Sequence, residues 1–132
     1  KFSTSSQVIR DISTEFTDLI KNAHDTLKDP YLRACYLYSL TDSGKSVFDY
    51  NDTEEFDNFL RDIFDLNERI STISTSTERD EILEYIDKRI KQINVDLPIH
   101  FLSPDLPKLR LLIKNLKFWN NLVKKINDLN FD

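Results

Sequence analysis

"FDNFLRDIFDLNERISTI", residues 56–73, is the stretch whose reading decides the fold. Its apolar side chains at Phe56, Phe59, Ile63, Leu66, Ile70 and Ile73 recur at 3-4-3-4-3 spacing, which lines one side of an α-helix and cannot line one face of a strand. The preceding "DYNDTEE", residues 49–55, supplies the start. Asn51, Asp52 or Thr53 can accept the free N–H groups of a first turn, and Glu54 and Glu55 suit the positive end of the helix dipole. Leu60 lies just off the stripe and widens it from a coiled-coil seam to a face that meets more than one neighbour.

The same period recurs in both directions. Beyond the hydroxyl-rich tract at 71–77, Thr75 followed by Glu78, or Thr77 by Asp80, reads as a capping box for a helix striped by Ile82, Ile86, Ile90 and Ile93. "NVDLPIHFLSPDLP", residues 94–107, carries Pro98, Pro104 and Pro107 and predicts an extended connection laid over the bundle. A last helix at 107–129 presents Leu109, Leu112, Leu116, Trp119, Val123 and Ile126. Towards the N-terminus, Ile9, Ile12, Phe16, Leu19 and Ala23 stripe a helix for which Ser5 or Ser6 is the expected cap. Asp29-Pro30 ends that helix and starts the next, "YLRACYLYSL" at 31–40, whose apolar residues lie nearly all round and predict a central, buried position. The fold class that follows is all-α: a bundle of four to five long, mostly antiparallel, heptad-patterned helices in one domain over residues 1–132.

Composition supports this. A chain of 132 residues with 39% apolar and 31% charged side chains can bury a real core, and its single glycine is too few for a hairpin-rich β fold. No uninterrupted apolar run, Leu111 to Ile113 included, approaches the roughly 20 residues that span a bilayer. Cys35 stands alone, which excludes an internal disulfide and points to a reducing, intracellular and cytoplasmic setting. An opening on Lys1-Phe2 without methionine reads as a piece of a larger protein.

The chemistry-bearing residues do not assemble into a catalytic signature. "TDSGKS", residues 41–46, ends like a phosphate-binding loop, but a second glycine is needed where Ser39 stands, and no strand precedes it. The expected role of Gly44 is a left-handed helix terminus. His24 and His100 have no His or Cys neighbour at metal-ligating spacing, and the carboxylate pairs Asp62/Asp65 and Glu81/Glu84 lack the Glu-x-x-His companions of di-metal bundles. Cys35 lies in the most apolar helix, where burial keeps a thiol inert. The expectation is no enzyme, no cofactor and no metal.

Charge is unevenly spread. Residues 108–132 carry +4 against −9 for the first 107, so the last helix is basic and amphipathic on an acidic body. Two readings follow: a protein-protein interaction or scaffolding module that binds a partner helix or extended peptide, and, as the alternative, a membrane-surface module that lays helix 107–129 on anionic lipid. Nucleic acid is excluded as a partner by the acidic field. The expected contact residues are Phe48, Tyr50, Lys114, Lys117, Lys124 and Lys125, with the acidic flank of the third helix beside them.

Overall fold

A computed structural model of the chain describes residues 2–129. These are all-helical: α1 (Phe2–Lys28), α2 (Pro30–Thr41), a 3-10 turn (Val47–Asp49), α3 (Glu54–Ser71), α4 (Ser76–Leu102) and α5 (Leu106–Asn127), with no strand among them. The expected fold class therefore holds. No described helix is long and apolar enough to cross a membrane.

The caps expected for α2, α3 and α4 form, that of α4 through Thr75 alone. Asp29 Oδ1 accepts from the N–H groups of Tyr31 and Leu32 with Pro30 opening α2, Thr53 Oγ1 accepts from Phe56, and Thr75 Oγ1 accepts from Glu78. Gly44 sits at φ +82 just past α2, its N–H donating to the Ser39 carbonyl at 2.7 Å. The loop that resembles a phosphate cradle is a helix terminus.

Centrality falls to α5. Its Leu109, Ile113, Leu116 and Ile126 are at most 1% exposed, because α2, α3, α4 and the 3-10 turn all pack on it. The stripe of α3 contributes Phe56, Ile63, Leu66 and Ile70 to the buried set, and α4 contributes Ile82, Ile86, Ile93 and Leu97.

Four expectations are corrected. The segment 94–107 is not extended: α4 runs through Pro98 to Leu102 and leaves three residues, Ser103–Asp105, as the connection to α5. Proline removes one helical hydrogen bond at a cost of about 3 kcal/mol, and here Leu97 continues the buried stripe of α4, so tertiary burial offsets that loss. Helix α2 is not buried all round. Only Ala34 and Tyr38 are, while Leu32, Tyr36, Leu37 and Leu40 stand exposed. The stripe of α1 is not core: Ile9, Ile12, Phe16 and Leu19 are 60–65% exposed, because α1 meets the bundle chiefly through α2 and no described element covers that face. Ser5 and Ser6, expected as caps, lie inside α1.

Candidate functional site

A groove of about 490 Å³ runs between α3 and α5. Its walls are Leu60, Phe64 and Asn67 on one side and Phe118, Asn121 and Lys125 on the other, over a floor of Ile63 and Leu122. On both helices the wall residues repeat at three-, four- and seven-residue spacing, so each wall is one helical face rotated slightly away from the core stripe. Beneath the groove the core is complete. Phe118 packs on Phe56 and Phe59 at ring separations of 5.8 and 6.4 Å, and Phe59 meets Trp119 edge-on at 5.4 Å. Phe64 takes no part in that cluster and remains 62% exposed. A large apolar ring left in water beside an apolar trough is a surface suited to binding another polypeptide.

The walls also carry polar groups. Lys125 Nζ closes one end, donating to Asn67 Oδ1 at 2.7 Å and to Ser71 Oγ at 3.1 Å. Asn67 and Ser71 belong to the last turns of α3, whose free carbonyls favour a cation.

The six residues singled out in the sequence fall into four places. Lys125 lines the groove and Lys124 is exposed next to it. Phe48 is 48% exposed, with Lys117 Nζ 4.7 Å from its ring centre, while Tyr50 is half-buried in a separate clasp. Lys114 is a correction. Its side chain is only 7% exposed, its ammonium bonds Asp52 Oδ1 at 2.6 Å and lies 4.5 Å from the centre of the Phe56 ring, so it is interior and offers no contact surface. The reason is local: α5 is surrounded near its start, and a position that is outward on an isolated helix is covered here by residues 52–56.

The clasp fixes the loop after α2. The Asp42 carboxylate accepts from the hydroxyls of Tyr50 at 2.5 Å and Tyr38 at 2.8 Å, while Arg110 donates to the Tyr38 oxygen at 3.1 Å and stacks over the Tyr50 ring at 4.0 Å. The hydrogen bonds from Tyr50 and then Tyr38 hold the Asp42 carboxyl below its ordinary value of 3.8, and the bond to Asp42 pushes Tyr50 up from 10.0 to about 12. The depressed Asp42 contributes stability that is full above pH 3.8 and is lost as pH falls through its folded value. The raised Tyr50 contributes below pH 10.0 and loses its contribution as pH rises through about 12. In Asp42→Asn, an ultraviolet phenolate titration is expected to show the Tyr50 step moving back towards 10.0, with a weaker dependence of the thermal midpoint on acid; an unmoved Tyr50 step refutes the clasp.

Sequence reasoning missed Phe64 as a surface residue and Phe118 as a half-buried groove wall, and the available signal was Phe64 falling outside the α3 stripe. The membrane alternative loses its apolar face, because Trp119 is 7% exposed and Leu109, Leu116 and Ile126 are deeper still.

Comparison with known proteins places this architecture. Residues 57–127, just over half the chain, match the family model of the HSCB C-terminal oligomerisation domain. The iron-sulfur cluster co-chaperone protein HscB of Mus musculus is 26% identical over 125 residues, spanning 95% of this chain and 53% of the relative. That of Homo sapiens is 25% identical over 125 residues, spanning 95% and 52%. The chain thus covers about half the length of these curated relatives. Among solved structures, the Jac1 co-chaperone from Saccharomyces cerevisiae, 5-182 clone, superposes with a TM-score of 0.74 at 21% identity, over 95% of this chain and 84% of that one, a likeness of fold.

Proposed function

This chain belongs to the HSCB C-terminal oligomerisation domain family, and on that footing we propose that it is the non-catalytic, protein-binding part of an iron–sulfur cluster co-chaperone, docking a protein partner in the α3/α5 groove. In this reading the 132 residues form one helical domain of a larger intracellular protein, acting by binding rather than by chemistry. The observation that carries it is the pairing of a closed core with an open apolar trough: Phe64 stays 62% exposed although every ring around it finds a partner. The co-chaperone role is supported by the names of the relatives, which describe proteins about twice this length. Of the residues expected from sequence, Lys125 lines this groove with Lys124 exposed beside it, while Phe48 and Lys117 form a separate pair and Tyr50 belongs to the Asp42–Arg110 clasp.

Affinity capture with the wild-type chain and with Phe64→Ser tests the reading. A protein that carries or receives iron–sulfur clusters is expected on the wild type and is expected to fall by about tenfold or more on the variant, the loss typical of a central aromatic anchor. Because Phe64 is mostly exposed, the variant is expected to unfold within about 0.5 kcal/mol of wild type. Identical captured sets from the two baits would refute the groove.

A further inference from the structure

The ammonium of Lys125 sets the chemistry of what the groove accepts. It is half-buried at the groove's end, and its partners, Asn67 Oδ1, Ser71 Oγ and the Asn67 carbonyl at 3.5 Å, are all neutral. Among the described residues no carboxylate lies within 4.0 Å of it, in contrast to Lys114, which has Asp52. A partly desolvated cation whose only negative neighbours are the partial charges at the end of α3 is left short of a full counter-charge. The neighbouring charges have the same sign on this side. Lys124 is exposed next to Lys125 on α5, whereas the outward edge of α3 alternates Asp57, Arg61 and Glu68. A negative group entering the trough is therefore drawn to the α5 wall, although the chain as a whole carries −5.

We infer that the groove is specific for a partner segment that seats a bulky apolar side chain against Phe64 and Phe118 and delivers an Asp or Glu side chain to Lys125. The inference rests on the groove being the docking surface. The carboxylate takes over the donor now directed at the Asn67 carbonyl at 3.5 Å, the longest of the three contacts, and a charge-assisted bond in a half-dried site is worth roughly twice a neutral one. The hydrogen bonds to Asn67 and Ser71 then serve to aim Lys125 along the trough, a positioning role that glutamine can reproduce and a carboxylate cannot exploit without the charge.

A random peptide library displayed on phage, selected against the wild-type chain and counter-screened on Phe64→Ser, Lys125→Gln and Lys125→Arg, provides the test. Peptides that depend on Phe64 are expected to share an aromatic or branched apolar residue and an Asp or Glu at fixed spacing. Changing that acid to its amide is expected to weaken binding to wild type about tenfold and to Lys125→Gln by less than about twofold, while Lys125→Arg keeps the preference. Groove-dependent peptides without an acid, or an acid preference that survives in Lys125→Gln, overturn the role of Lys125 and leave the docking surface standing. Failure to select any Phe64-dependent peptide overturns both.

Discussion

Replacing Trp119 with alanine is expected to lower stability by about 3–5 kcal/mol, the range for emptying a buried aromatic site. The indole is 7% exposed and meets Phe59 of α3 at 5.4 Å and Tyr85 of α4 at 6.2 Å, both edge-on. Two helices that pack on α5 thus meet at one of its side chains, so emptying that site loosens both contacts at once. For a chain of this length the loss corresponds to a fall in thermal midpoint of roughly 10–20 °C. Far-UV circular dichroism during thermal and urea unfolding measures it without the missing fluorophore. Tyr85→Ala, which empties a position already 46% exposed, is expected to cost distinctly less. A Trp119→Ala cost under about 1 kcal/mol would show that α5 is not the hub.

The second large effect concerns the interior ammonium. Asp52→Ala leaves Lys114 at 7% side-chain exposure with no carboxylate, and is expected to cost about 2–3 kcal/mol. This is below the range for a fully buried pair, because the Asp52 side chain is 50% exposed and water can enter where it was. Lys114→Met keeps the length of the side chain and its contact with the Phe56 ring while removing the charge, and is expected to be within about 1 kcal/mol of wild type. The double variant should recover most of what Asp52→Ala loses, giving a coupling readable from chemical denaturation. An order in which Lys114→Met is the more damaging single change would sink this account of the pair.

The groove illustrates how far side-chain pattern alone reaches. Leu60 is visible in the sequence as a residue widening the α3 stripe, and it does so, but one edge of the widened stripe opens on solvent at Phe64. Whether an off-stripe apolar residue is core or surface depends on the distance to the next helix, which no single helix encodes. Lys114 fails for the complementary reason. Charge type predicts exposure on an isolated helix, and only the approach of residues 52–56 reverses it. Lys125 was legible as a basic residue on the last helix, whereas its placement against Asn67 and Ser71 spans 54–58 positions of sequence.

By itself the sequence determined the helical class, the caps of α2, α3 and α4, and the helix-terminating turn at Gly44. Each of these is set by interactions within a few residues: 3.6-residue periodicity, side-chain oxygens reaching the next N–H groups, and a backbone angle that glycine adopts cheaply. Only the tertiary structure decided that α5 is central, that α4 passes through Pro98, that the α1 stripe is left uncovered within these residues, and that Phe64 and Lys125 share a trough. Those outcomes turn on which faces meet across the chain, where burial worth a few kcal/mol per side chain outweighs local preferences of about the same size.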